Sequence, residues 1–386
     1  MIRPLAVLLT AAALVVPATP AHAEQAHREP VLREPASVTI STWGNGHGKG
    51  LSQYGARNRA NAGQTYDEIL DAYYPGTSSG SAGGSIRVLL TEAPTRSLVV
   101  TARSGLKARS LTSATTWVLP ARRDGKVVKR WRIKPAGDRA QIAYRTRAWH
   151  EWKVPRGEAA FVSTQPIALA GASTYRGLLR LTPAGVVNVV GLETYLRGVV
   201  AREVPASWPR DAVRAQAVAA RTYAVFERGN VSAGRDYDLC DTAACQVYAG
   251  AAGEHPDSDA AVAATAGEVR TYEGGPIFAQ FSASNGGYSV DGGYPYLVAE
   301  RDTEDRGIPE DPHARTFTGE EITRHWTGLG DLVSVEVLER DGNGTPQVPG
   351  GRATLLRVTG TDGAVNVTGS AFRSYLGLRS TLLEIT

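Results

Sequence analysis

A carboxyl group on an apolar helical stripe is the first feature with chemical content. In "LETYLRGVVAREVPASWP", Leu192, Tyr195, Leu196, Val199 and Val200 recur at helical spacing, and Glu203 continues the stripe four residues after Val199. Two roles are open to it. An acid at a helix end can cap the next helix through free N–H groups. A desolvated acid is instead kept protonated near neutral pH, which is how a glycosidase-type general acid is made. Glycosidases usually use two carboxylates. The same segment offers Glu193 and Asp211, but Glu193 falls on a different helical face and reads as solvated.

Other residue types with binding chemistry lie nearby or in glycine-rich stretches. Gln216 shares a helical face with Val213, Ala217, Ala220 and Tyr223, so it is expected to be buried and to need partners, with a structural role and a substrate contact both open to it. Arg221, five residues later, is either a solvated helix charge or a fork that holds a carboxylate or sugar oxygens. His47 stands between Gly46 and Gly48, and glycines let a backbone approach a ligand closely. Ser284, Asn285 and Tyr288 lie in "SASNGGYS", where they suit sugar hydroxyls or a plain turn. Cys240 and Cys245 are the only cysteines. A close pair in an oxidising compartment becomes a disulfide or a metal half-site, and free thiols are the third option. No histidine lies between them, and zinc wants three or four ligands.

The elements that must position these residues can be read in outline. "MIRPLAVLLTAAALVVPATPAHA" has the form of a signal peptide, residues 1–23, with an Ala-x-Ala cleavage site. Its apolar run is shorter than the ~20 residues of a bilayer span, so an exported chain without a transmembrane segment is expected. Residues 24–40 read as a tether. Residues 41–84 hold the Gly-His-Gly stretch, a capped helix opening at "TYDEIL" with Thr65 and Glu68 as a capping box, and a flexible "SSGSAGG" hinge. Residues 85–180 read as a small β domain of short branched runs, and 181–386 as a helix-containing catalytic core. "LETYLRGVVAREV" reads as one helix. "SWPRDAVRAQAVAARTYAVFERG" reads as a second, capped by Ser207 or Trp208 and ended by Gly229. Strands return beyond Ile277, and the chain closes with two strands, a short helix near Ala371 to Leu376 and a last strand. The fold class is α+β, rich in strand. The net charge of +4 is too mild for a nucleic-acid protein, and no basic run with aromatic interleaving stands out.

Several of these stretches resemble one family. "VVNVVGLETYLRGVVAREVPASWPRDAVRAQAVAARTYAV", "CDTAACQVYAG", "ATAGEVRTYEGGPIFAQFSASNGGYS" and "FRSYLGLRST" are similar to the SpoIID/LytB family, peptidoglycan lytic transglycosylases and relatives, and "GNGHGKGLSQYGARNRANAGQTYDEILDAYYPGT" matches a second signature of it. The resemblance implies a secreted or wall-associated protein of sporulation or wall turnover that acts on peptidoglycan glycan strands. It implies that Glu203 is the acid/base, that Arg221 and His47 line the glycan groove, and that no organic cofactor is needed. One carboxyl then suffices, because the 6-hydroxyl of muramic acid can close on its own anomeric carbon. The family also covers wall-binding and amidase-modifying members, so a non-catalytic role stands as the alternative, and a metallohydrolase as a more distant one. Two departures are visible. In the family the Gly-His-Gly signature follows the "FRSYLGLRST"-like strand, whereas here it comes first, which reads as a circular permutation. Metal-binding relatives carry a histidine directly before the second cysteine, and this chain has Ala244 there, which argues against a metal.

Overall fold

The computed structural model describes residues 37–386. The expected signal peptide and most of the expected tether lie outside the described residues. The tether's last residues do not fit that reading. Ser37–Thr42 is a strand, with Ile40 fully buried. Its branched residues Val38, Thr39 and Ile40 favour extended backbone, and Ile40 needs an apolar partner.

The chain is α+β, and its described residues divide into two compact units, residues 56–281 in one, and residues 37–55 with Ser282–Thr386 in the other. The expected boundaries near 84 and 180 do not coincide with that division. Residues 85–180 share one hydrophobic core with the helices that follow. Ile86, Trp131, Phe161 and Leu179 from strands belong to the same buried cluster as Tyr195, Val199, Val213 and Ala220 from helices. The physical reason is the chain path: the strand Gly185–Gly191 sits inside the sheet and runs directly into the helix Leu192–Arg197, so sheet and helix bury a common face.

In this larger unit a seven-stranded sheet has the order 239–240, 85–89, 185–191, 174–182, 159–168, 107–110, 116–118. Neighbours are antiparallel except Leu239–Cys240, which lies parallel to Ser85–Leu89 with Cys240 opposite Leu89. A four-stranded sheet carries Trp149–Lys153, Arg139–Arg145, Arg130–Ala136 and Leu98–Thr101. The capping box expected at Thr65 is present: the Thr65 hydroxyl accepts from the Glu68 N–H, and the Glu68 carboxylate accepts from the Thr65 N–H, opening the helix Tyr66–Tyr73.

In the other unit Ser37–Thr42 is the central strand of three, antiparallel to His313–Thr318 on one side and to Leu383–Ile385 on the other. A second sheet pairs Leu332–Arg340, Ala353–Gly360 and Ala364–Thr368. The expected C-terminal helix spans Gly369–Leu376, capped by the Thr368 hydroxyl and ended by Gly377 in the left-handed region. Ile40, Phe317, Leu356, Phe372 and Leu383 form its core. Strands return beyond Ile277 as expected, but between Ala283 and Pro312 this unit holds only turns and isolated bridges among the described residues, and the strands resume at His313.

Candidate active site around Glu203

The expected single helix before Glu203 is two. Leu192–Arg197 ends at Gly198, and a short turn of helix, Val200–Glu203, follows. Gly198 explains the break. A Cβ at this position would meet the Tyr248 ring at 2.6 Å and the Gly250 carbonyl at 2.7 Å, and the Gly198 carbonyl accepts from the Ala249 N–H at 3.2 Å. The chain therefore turns where residues 248–250 press against it. Val199, Val200 and Val204 go into the core, while Glu203, the last residue of the short helix, is only half-buried.

The Val247 N–H donates to Glu203 Oε1 at 3.3 Å and helps to hold the carboxyl in place. Val247 is itself placed by its neighbours. Gln246 is buried, accepting from the Tyr195 hydroxyl at 3.0 Å and donating to the Ala220 carbonyl at 3.2 Å. Tyr248 is buried and donates its hydroxyl to Asn188 Oδ1 at 2.8 Å. Upstream, Cys240 and Cys245 are joined by a disulfide with Cα atoms 5.5 Å apart. The loop it closes starts from the sheet at Leu239–Cys240 and delivers residues 246–248 beneath the helices. Sequence reasoning weighed the cysteines but not Gln246, Val247 or Tyr248. The signal was their place directly after the second cysteine.

The phenols around Glu203 stay neutral. Burial lifts Tyr195 well above its ordinary range, with Tyr248 and then Glu203 adding to the shift. Tyr223 is pushed up to about 12, first by burial and then by Glu227 and Glu203. Neutral phenols next to a carboxyl can donate hydrogen bonds without adding charge.

The other acids of the segment are engaged. Glu193 is not a solvated bystander as its helical face suggested. Its two oxygens accept from Arg221 Nε at 2.9 Å and Nη2 at 2.7 Å, and Oε1 also accepts from the Gly267 N–H at 3.1 Å. Asp211 pairs with Arg214 at 3.3 Å.

Arg221 gives a second correction. It is 0% exposed, and its remaining donors reach the Thr265 hydroxyl and the carbonyls of Glu268 and Val262. A guanidinium fork saturated by protein oxygens has no donor left for a glycan, so Arg221 joins elements rather than lining a groove. Gln216 is likewise inside, 1% exposed, in the long helix Arg210–Gly229. That helix begins after Pro209 with no side-chain cap, so neither Ser207 nor Trp208 caps it. Those two residues instead line a cleft of about 420 Å³ with Arg210, Arg214 and Asp257, opening three residues beyond Glu203 in the chain. Arg57 lies 5.4 Å from the centre of the Trp208 ring.

The remaining candidates belong to the other unit. His47 is exposed, and its Nδ1 accepts from the Lys49 N–H at 2.9 Å. Ser284 and Asn285 are both 0% exposed, which removes them as direct sugar contacts. The Ser284 hydroxyl donates to Asp305 at 2.7 Å, and the Asn285 amide donates to Asp302 at 2.9 Å. Tyr288 keeps partial exposure and bridges to Arg301. This turn is a support for the Gly-His-Gly stretch. Asn45 and Ser284 exchange backbone hydrogen bonds at 3.1 and 2.9 Å, and the Val290 N–H donates to the Gly48 carbonyl at 2.9 Å. Two of the glycines are required by that approach: a Cβ on Gly44 would stand 2.8 Å from the Gly286 nitrogen, and one on Gly46 would stand 2.5 Å from Ser282 Cβ. Both also have positive φ.

The comparisons with known proteins agree on one family. A sequence profile described as "SpoIID: Stage II sporulation protein" matches residues 182–272, which contain Glu203, Arg221 and both cysteines. The amidase enhancer of Bacillus subtilis (strain 168) is 40% identical over 119 residues, 29% of this chain but only 16% of that protein. The stage II sporulation protein D of Bacillus amyloliquefaciens is 30% identical over 220 residues, 51% of this chain and 61% of that protein. The stage II sporulation protein D of Bacillus subtilis (strain 168) is 30% identical over 256 residues, 59% of this chain and 71% of that protein. With Glu203 seated in the matched region and the alignment running over most of a known member, the chain belongs to the SpoIID family of cell-wall proteins.

Proposed function

We propose that this protein cleaves peptidoglycan glycan strands by lytic transglycosylation, with Glu203 as the single acid/base. The observation that supports the reading is the placement of Glu203: a half-buried carboxyl at the end of the short helix, within the family-matched region, with the Val247 N–H donating to its Oε1 and the neutral phenols of Tyr195 and Tyr223 around it. Glu193 and Asp211, the other acids of its segment, pair with Arg221 and Arg214. In the reaction, the Glu203 carboxylic acid gives its proton to the glycosidic oxygen, and the bond from that oxygen to the anomeric carbon breaks. The 6-hydroxyl of the same muramic residue then attacks the anomeric carbon. Its proton goes to the Glu203 carboxylate, which restores the acid and leaves a 1,6-anhydro ring. No water is consumed. The Val247 N–H would steady the carboxylate form of Glu203 between the two transfers. The cleft beginning at Ser207 and Trp208 supplies a ring and polar groups suited to sugars.

Mass spectrometry of purified glycan strands after digestion tests this. Anhydro-muramyl ends are expected, and reducing muramyl ends or intact strands would count against it. The similarity to the amidase enhancer supports a second reading, in which the protein modifies a wall amidase and does not cut glycan itself. That reading expects intact glycan together with faster stem-peptide release when an amidase is added.

We also propose that the chain is a circular permutant of the family order. The antiparallel pairing of Ser37–Thr42 with Leu383–Ile385 supports it, since a short turn can join two such strands in the family's order.

A further inference from the structure

The mild net charge of the whole chain hides a strong local imbalance. Between residues 96 and 156 sixteen Lys or Arg stand against three acids, Asp124, Asp138 and Glu151. The rest of the chain is therefore net acidic. The basic and aromatic interleaving that the linear sequence did not display is made by strand pairing. On the four-stranded sheet, Trp131 and Ile133 point into the core, so Arg130, Arg132 and Lys134 share the opposite face. Register adds Arg145 to that face directly opposite Arg130, and Trp149 directly opposite Arg145. Arg132 lies over the Trp149 ring at 4.4 Å. Glu151 is the acid on this face, and it accepts from Gln141. None of Arg130, Arg132, Lys134 and Arg145 forms an ion pair among the described residues.

Like charges directly opposite on adjacent strands destabilise a sheet. A surface that sets Arg130 against Arg145, with Arg132 and Lys134 alongside and one acid, Glu151, which pairs with none of the four, is poorly explained by stability. It is well explained by an anionic ligand. Arginine predominates, and its planar fork suits tetrahedral phosphate oxygens. Same-face residues on one strand repeat every ~7 Å, so the face offers a row of cations to a chain of repeated anions rather than a pocket for one. The aromatic group argues about the class of chain. Single-stranded nucleic acid needs open rings on which bases stack, and the Trp149 ring is already covered by Arg132.

We propose that the outer face formed by Arg130, Arg132, Lys134 and Arg145 binds a phosphodiester-linked polyol polymer of the cell wall, holding the protein against its substrate. The choice of a wall polymer rests on the cell-wall reading above. The binding itself does not depend on catalysis, so it can be measured with Glu203→Gln and judged separately from the cleavage reaction.

The test uses the full chain and purified poly(glycerol phosphate), with neutral dextran and single-stranded DNA as comparison probes. Wild-type protein should bind the phosphate polymer at low salt, lose affinity as salt rises, and ignore dextran. Arg130→Ser with Arg145→Ser should weaken binding at least tenfold and flatten the salt dependence. The same double substitution should leave the melting temperature unchanged or raise it, because a like-charge pair has been removed. Lys134→Gln alone should give a smaller loss in the same direction and serves if the double variant folds poorly. Unchanged binding by both variants overturns the proposal. So does tighter binding of single-stranded DNA than of poly(glycerol phosphate), which would assign the face to nucleic acid.

Discussion

Thr42 stands directly opposite Leu383 in an antiparallel ladder, so the first described strand and the last are neighbours. The pairing is extended by mutual backbone bonds between Thr39 and Thr386 at 2.8 and 2.9 Å, and by the Trp43 N–H donating to the Leu382 carbonyl at 2.9 Å. Ser37–Thr42 is the central strand of its sheet. Deleting residues through Thr42 should therefore leave two unpaired edges and remove Ile40 from the core. We expect loss of the cooperative unfolding of this unit and aggregation. A truncated chain with wild-type denaturant unfolding would contradict the arrangement. The permuted reading adds an expectation of its own. Moving residues 37–76 behind Thr386, with a short turn inserted, should restore a stable protein.

Glu203→Gln keeps the size of the side chain and can still meet the Val247 N–H through its amide oxygen. It cannot deliver a proton. Loss of a general acid/base typically costs ~10²–10⁴-fold, so cleavage of purified glycan should fall by that range while thermal stability changes little. Turnover within a few-fold of wild type would remove Glu203 from the reaction.

Arg221 is fully buried, and Glu193 is its carboxylate partner. Removing one member of such a pair leaves the other charge uncompensated, which typically costs about 3–5 kcal/mol. Glu193→Ala should destabilise by an amount in that range in urea unfolding, and Arg221→Lys should fail to substitute, because an ammonium cannot make the two parallel bonds. A loss of activity in either variant with stability intact would instead return Arg221 to the substrate.

The disulfide between Cys240 and Cys245 closes the loop that carries Val247 to Glu203. Thiol titration of the denatured, unreduced protein should find no free thiol. Reduction, or Cys240→Ser with Cys245→Ser, should lower activity more than it lowers stability, because the closed loop is short and its entropic contribution correspondingly small. Two titratable thiols, or stoichiometric zinc, would contradict the pairing.

Stability should respond to pH in two opposite ways. Burial raises Asp305 from its ordinary 3.8 to about 6, with Asp302 adding to the rise and Ser284 opposing it. A raised carboxyl favours the protonated folded state, so its contribution is complete below about 4 and is lost as pH climbs through 6, on the order of 3 kcal/mol. Glu254 is held low by Arg176, so its contribution is present above the ordinary carboxylate range and is lost as pH falls. Asp305→Asn should therefore abolish the decline between pH 4 and 6.5 without changing the loss at lower pH. An unchanged pH profile would show that Asp305 titrates normally.

What the sequence by itself determined were features set over a few residues. The Thr65 capping box, the short C-terminal helix near Ala371 to Leu376 and the short branched strands between residues 85 and 180 depend on local pattern, and each was legible. Glu203 could be singled out because a charged residue on an apolar stripe violates that pattern. The tertiary structure decided what depends on partners distant in the chain. Arg221 and Glu193 are 28 residues apart and read separately as a groove residue and a solvated acid, yet together they form a two-bond fork whose arginine is fully buried. Ser284 and Asn285 read as sugar contacts until Asp305 and Asp302 enclosed them. Gly198 looked like a helix residue, and only the Tyr248 ring pressed against it shows why the helix must break there. The division into units followed the same rule, because strand 185–191 commits the sheet and the helices to one core. Burial of a polar group is affordable only with a partner, and a partner's identity is written in the packing rather than in the neighbouring residues.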